Sequence, residues 1–225
     1  MKAFKYFFFS TLLILLMVQG CAEESPPPQA QPEKNYAGTI VAVGDSLTEG
    51  LGVAEESAYP ALLEGRLQDQ GYPYRVVNAG ISGETSSGAL ARIQWILTLK
   101  PDIVILVTGA NDALRGIAPE LVKSNILTIV RSLKKNKVTV VLGGMQIVQN
   151  MGREYTAAFA EIYPEVARAE DVILIPFFLA GVAADPGLNQ ADGIHPTAAG
   201  YRVIVDNITP YVLDAVKNQR QGAGH

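Results

Sequence analysis

Two stretches far apart in the chain hold residue types that together could attack a carbonyl. The first, "VAVGDSLTEG" (Val41 to Gly50), leaves an apolar run through Gly44 and Asp45 and sets Ser46 where a helical turn would begin. A serine there is by default a turn or cap residue. It becomes a nucleophile only if a base reaches its hydroxyl. The second stretch, "DGIHP", supplies that base. His225 is the chain's last residue, which leaves His195 as the only internal histidine, and Asp192 precedes it by three residues across a glycine. That short, bent spacing can bring the carboxylate to one imidazole nitrogen and leave the other free. Such an arrangement fixes the tautomer and stabilises the imidazolium formed when a serine loses its proton.

Acyl transfer through a serine also needs donors for the oxyanion of the tetrahedral intermediate. Three candidates follow apolar runs. The Ser46 amide is unpaired if it opens a helix. Gly83, in "NAGISGETSSG", lets a substrate approach its amide closely. Asn111, in "GANDALRG", carries a side-chain NH2. Taken singly, Gly83 reads as a turn and Asn111 as a turn or cap, with Asp112 bracing the same loop.

Other chemistries lack their residues. One cysteine and one internal histidine cannot assemble a zinc site, so no metal is expected. Neither a P-loop nor a dinucleotide fingerprint is present. "GxSxG" is missing as well, which argues against the nucleophile elbow of α/β-hydrolases. A formal net charge of −4 gives no basic field for nucleic acid.

The elements that must position these residues alternate regularly. Five short apolar runs ("GTIVAV", "YRVVN", "DIVILVTG", "VTVVLGG" and "VILIP") are separated by helical patterns. These are "YPALLEGRLQDQG", "SGALARIQWILTLK", "PELVKSNILTIVRSLKKN", "REYTAAFAEIYPEVARAE" and "TAAGYRVIVDNITPYVLDAV". Pro164 and Pro210 are expected to bend or interrupt the last two. Trp95 is expected on a packed helix face. Strands apolar throughout, each followed by a helix, imply a five-stranded parallel sheet covered on both faces, a three-layer αβα sandwich. With 48% hydrophobic residues in 225, one domain suffices, and it is placed at residues 37–217 with a disordered tail at 218–225. Ligands in such sheets bind beyond the carboxyl ends of the strands. Ser46, Gly83, Asn111 and His195 all fall in segments that follow strands.

The first twenty residues read as a leader: Lys2 and Lys5, the apolar run Phe7 to Val18, then Gly20 and Cys21. The setting of Cys21 after "LMVQG" resembles a bacterial lipobox, in which the cysteine is lipidated and becomes the mature N-terminus. Residues 21–36 then form a proline-rich tether. The expected location is the bacterial cell envelope, at the periplasmic face of the outer membrane in a Gram-negative cell, because Ala22 is not a retention acid. The lipid at Cys21 would be the contact with the membrane.

The four segments together resemble the GDSL, or SGNH, hydrolase family, with Ser46 in "GDSL", Gly83 after the second strand, Asn111 in "GxND" and His195 in "DxxHP". "NAGISGETSSGALARI", "GANDALRG", "AFAEIYPEVA" and "IPFF" are closest to its bacterial thioesterase I, lysophospholipase and arylesterase branch. Ala110 departs from the glycine common there, and the loop from Gln146 to Tyr155 is shorter. The resemblance implies a flavodoxin-like fold without cofactor and hydrolysis of small-molecule acyl esters and thioesters through an acyl-enzyme. The triad would be Ser46, His195 and Asp192, and the oxyanion donors Ser46, Gly83 and Asn111. It also implies an acyl groove, assigned to Leu114, Ile147, Val148 and Met151, and a monomer. The alternatives are a carbohydrate O-deacetylase of the same family and a lipid-binding lipoprotein without catalysis.

Overall fold

The computed structural model describes residues 35–147 and 151–222. Cys21, the leader, most of the tether and Val148 lie outside the described residues.

Five strands form one parallel sheet in the order β2-β1-β3-β4-β5. They are β1 (Gly38–Gly44), β2 (Tyr74–Gly80), β3 (Ile103–Val107), β4 (Thr139–Gly143) and β5 (Ile173–Ile175). Every residue of β3 is buried, as befits a central strand with helices on both faces. Register is continuous across the middle: Gly44 pairs with Gly80 on one side and Val107 on the other. The carboxyl ends of β1, β2 and β3 therefore finish level. The order is that of flavodoxin-like sheets, in which connections leave β1 in opposite directions and open a crevice between β1 and β3. Replacing a core residue such as Leu106 by alanine would cost about 2–5 kcal/mol.

The helices are α1 (Ser46–Glu49), α2 (Tyr59–Asp69), α3 (Ser86–Ala91), α4 (Ile93–Thr98), α5 (Ala110–Leu114), α6 (Pro119–Lys135), α7 (Arg153–Glu170) and α8 (Ala198–Gly222). Pro119 sits in the first turn of α6, where a missing N–H costs nothing. None of the helices of the described residues is long and apolar enough to cross a membrane.

Three expectations need correction. The helix expected over "SGALARIQWILTLK" is two helices, broken at Arg92 (φ −104°, ψ 7°). The Arg92 side chain grips Glu84 through two hydrogen bonds of 2.7 and 2.6 Å and reaches the Gly44 carbonyl at 3.4 Å. Trp95 is 52% exposed rather than packed, because Ile93 and Ile96 fill the inward positions of α4. Pro164 and Pro210 both lie inside continuous helices, α7 and α8. The domain boundary expected at residue 217 falls inside α8, whose last turns are held: Gln219 Nε2 donates to the Asp102 carbonyl and to Thr139 Oγ1 (2.8 and 2.7 Å), and the Arg220 guanidinium lies 4.7 Å from the centre of the Tyr72 ring.

Candidate active site

Ser46 is the first residue of α1, immediately beyond β1. Asp45 caps that turn, its Oδ1 accepting from the Leu47 amide at 3.0 Å. The turn must fold back tightly, and Gly80 makes room, since a Cβ there would lie 2.1 Å from the Glu49 nitrogen. Gly50 closes α1 in the left-handed conformation (φ 90°). The buried Tyr201 hydroxyl donates to the Leu47 carbonyl at 3.0 Å and ties the turn to α8.

His195 approaches from the loop before α8, which is fastened to the β1 side by Gln190: its Nε2 donates to the Leu51 carbonyl at 2.7 Å. His195 Nε2 lies 2.8 Å from Ser46 Oγ, and His195 Nδ1 lies 2.7 Å from Asp192 Oδ2. Asp192 Oδ1 also accepts the amides of Ile194 (2.8 Å) and His195 (3.0 Å). The hydrogen bond with the His195 ring, aided by these amides, holds the Asp192 carboxyl well below the usual carboxylate range. An ionised Asp192 puts the imidazole proton on Nδ1, so Nε2 accepts from the Ser46 hydroxyl. The structure thus brings together three residues up to 149 positions apart.

Asn111 is the second residue of α5, just past β3. One N–H of its side chain is directed at Asp45, Nδ2 lying 3.2 Å from Asp45 Oδ2. Gly83 lies in the loop after β2 at φ 76°, a conformation that favours glycine. The amides of Ser46 and Gly83 meet no acceptor among the described residues. Their neighbours are committed: Ser82 donates its amide (2.9 Å) and its hydroxyl to Glu49 Oε2. Two unpaired amides and a side-chain NH2 at the level ends of β1, β2 and β3 can serve a developing negative charge.

Asp112 does brace its loop. Fully buried, it accepts the amide and hydroxyl of Ser86 at 2.7 and 2.6 Å, and Asn125 donates to the same hydroxyl at 3.0 Å. The sequence reading missed Asp45. Its carboxyl is almost wholly buried, and burial pushes it up to about 6, against the lowering effect of the Leu47 amide and Asn111. The one signal in the sequence was a carboxylate directly before the serine.

The residues assigned to an acyl groove are spread out. Leu114 is 65% exposed and Met151 is partly exposed, whereas Ile147 packs against the core. Leu51, Ile81 and Ile194 are further exposed aliphatic side chains on segments that follow β1, β2 and β5. Among the described residues, no three His, Cys, Asp or Glu side chains gather as a metal-binding group.

A family model described as GDSL-like Lipase/Acylhydrolase matches residues 42–203. Esterase TesA of Pseudomonas aeruginosa is 43% identical over 175 residues, covering 77% of this chain and 87% of the relative. Thioesterase 1/protease 1/lysophospholipase L1 of Escherichia coli (strain K12) is 37% identical over 171 residues, covering 76% and 81%. The crystal structure of TesA superposes with a TM-score of 0.76 at 42% identity, over 79% of this chain and 99% of that one.

Proposed function

The chain belongs to the GDSL-like lipase/acylhydrolase family, and on that basis we propose that it hydrolyses carboxylic esters and thioesters through an acyl-enzyme on Ser46. The observation that carries the reading is the continuous line of hydrogen bonds from Ser46 Oγ through His195 to Asp192, 2.8 and 2.7 Å long.

Ser46 Oγ attacks the acyl carbonyl while its proton passes to His195 Nε2. Asp192 holds the ring and offsets the imidazolium charge. The oxyanion is met by the amides of Ser46 and Gly83 and the free N–H of Asn111. Collapse of the tetrahedral intermediate breaks the bond to the leaving alcohol or thiol, which takes the proton from Nε2. Water then repeats the sequence: it gives a proton to His195, attacks the acyl-serine and releases the acid as Ser46 regains its hydrogen.

The mouth supports acyl chains rather than sugars. The large exposed hydrophobic side chains described on segments that follow the strands are aliphatic or thioether (Leu51, Ile81, Leu114, Met151 and Ile194), and the single tryptophan, Trp95, lies on α4. Lipid attachment at Cys21, action at the cell envelope and a monomeric state complete the proposal, motivated by the leader, the single cysteine and the tether.

A soluble form beginning near Asn35 tests the reading. It should hydrolyse aryl esters of stepped acyl length, acyl-CoA and lysophospholipid, and Ser46→Ala should abolish all three activities together. Turnover of acetylated sugars in strong preference to aryl esters would point instead to an O-deacetylase.

A further inference from the structure

Two of the proposed oxyanion donors sit on different loops. Gly83 follows β2 and Asn111 follows β3, so their separation depends on something that spans the gap. Arg115 does. It caps the C-terminus of α5, and its own amide donates to the Asn111 carbonyl at 3.2 Å. Its Nη2 reaches across to donate to the Gly83 carbonyl at 2.8 Å. The rest of the glycine's loop is held from other directions. Ser82 is fixed by Glu49, and the Glu84 amide closes a turn onto the Ile81 carbonyl at 3.0 Å. Gly83 has no side chain and a φ of 76°, so the torsions joining its two peptide planes carry little steric restraint of their own. Its carbonyl shares a peptide plane with the Glu84 amide, so Arg115 and the turn onto Ile81 hold that plane from its two ends, and the Gly83 amide is set relative to it through the glycine's own φ and ψ.

We propose that Arg115 is a positioning residue for the oxyanion site: anchored on the turn that carries Asn111, its guanidinium clasps the Gly83 carbonyl and fixes the two donors relative to each other. The proposal rests on the ester hydrolase reading above. A planar guanidinium suits the task because little side-chain freedom is lost per hydrogen bond formed. The stake is large, since misplacing a catalytic donor by about 1 Å can cost on the order of 10²-fold in rate.

The test uses a neutral aryl ester, so that the charge of Arg115 has no substrate charge to act on. Arg115→Met should lower kcat by roughly 10–100-fold with KM little changed. The rate of phosphonylation of Ser46 by a fluorophosphonate should fall by a similar factor, because the phosphoryl oxygen occupies the same hole. Arg115→Lys, which keeps an N–H donor, should recover most of both losses. The melting temperature of each variant should stay near that of the wild type, because the side chain is exposed. In an Asn111→Ala background Arg115→Met should cost less, since one of the two donors it aligns is gone.

Normal kcat in Arg115→Met overturns the proposal, as does a rise in KM alone, which would make Arg115 a substrate-binding cation. An Arg115→Lys variant as slow as Arg115→Met, or an equal cost in both backgrounds, overturns it too. Failure of the underlying reading looks different: the wild-type chain would then neither turn over esters nor take the phosphonate at Ser46.

Discussion

Asp45 and Asn111 are joined by a hydrogen bond of 3.2 Å from an amide nitrogen to a nearly buried carboxylate. The contact links the residue before the proposed nucleophile to a proposed oxyanion donor 66 positions later. It orients Asn111 by occupying one of its two N–H groups, and it gives a desolvated carboxylate a partner. Serine, histidine and asparagine are thereby set by the first and third strands and the loop before α8, and Asp45 connects the first two of those supports.

The covalent step yields the most direct prediction. A fluorophosphonate should label this chain once, at Ser46, because only that hydroxyl has an imidazole nitrogen 2.8 Å away among the described residues. Peptide mapping after labelling reads the position. Persistent labelling in Ser46→Ala would falsify the assignment.

Asp192 should matter for proton transfer more than for folding. Asp192→Asn keeps an oxygen that can accept the Ile194 and His195 amides, yet presents an NH2 to His195 Nδ1 in place of an acceptor. The ring then turns to its other tautomer, in which Nε2 carries a proton and cannot take the one on Ser46. The expected loss in kcat is on the order of 10²–10⁴-fold, with the melting temperature close to that of the wild type. A variant that melts early but turns over normally would assign Asp192 to loop structure alone.

The grouping of Ser46, His195 and Asp192 was legible in the sequence because its parts are local. "GDS" is one turn, "DGIH" is one bend, and a parallel sheet brings segments after strands to one edge wherever they lie in the chain. The five strands were legible for a related reason, being apolar over their whole length. What stayed hidden were side-chain contacts between loops. Nothing in the spelling of "GDS" says that its carboxylate will accept from Asn111, nor does "ALRG" say that Arg115 will cross to Gly83. The break at Arg92 was masked by good helical periodicity on both sides, and the bond from its side chain to Glu84 is a contact that the periodicity does not encode. The exposure of Trp95 follows from that break, because α4 starts afresh and gives its inward positions to Ile93 and Ile96. Gln219 and Arg220 look like tail residues until their partners on the sheet edge and on Tyr72 are known.

Membrane attachment is a prediction about residues outside the described structure. The charged start, apolar run and single cysteine motivate it. Cys21→Ser should leave the folded domain and its esterase activity unchanged while moving the protein from the membrane fraction to the soluble or unprocessed one. A Cys21→Ser protein that is processed normally and stays with the membranes would remove lipidation at that thiol from the account.

The Asp45 carboxyl makes a prediction about stability and pH. Its native value is raised from 3.8 to about 6 by burial, so the native state holds this proton more tightly than the unfolded chain does. The contribution is fully present below pH about 4 and is lost as the pH rises through 6, where the buried group must ionise. That difference in proton affinity between the folded and unfolded chain corresponds to about 3 kcal/mol. Asp45→Asn keeps the cap on Leu47 and cannot ionise. Its stability relative to wild type should therefore climb between pH 4 and pH 7 in parallel denaturation series. A difference that stays constant across that range would mean that the carboxylate is solvated in the native state.

The same pair decides what Asn111 does. Asn111→Ala removes a proposed oxyanion donor, and kcat should fall by roughly 10²–10³-fold with KM little changed. It also strips a donor from a nearly buried carboxylate, which should cost about 1–3 kcal/mol of stability at neutral pH. The two effects separate by pH. Losing the donor raises the Asp45 carboxyl further, so near pH 5 it is mostly protonated in the variant and the stability cost shrinks. The loss in kcat belongs to the transition state and should persist wherever both enzymes are folded and active. Measuring turnover and melting side by side at pH 5 and pH 7 therefore reads each role alone. A variant whose kcat returns to normal as its stability recovers would make Asn111 a support for Asp45 and leave the oxyanion to the amides of Ser46 and Gly83.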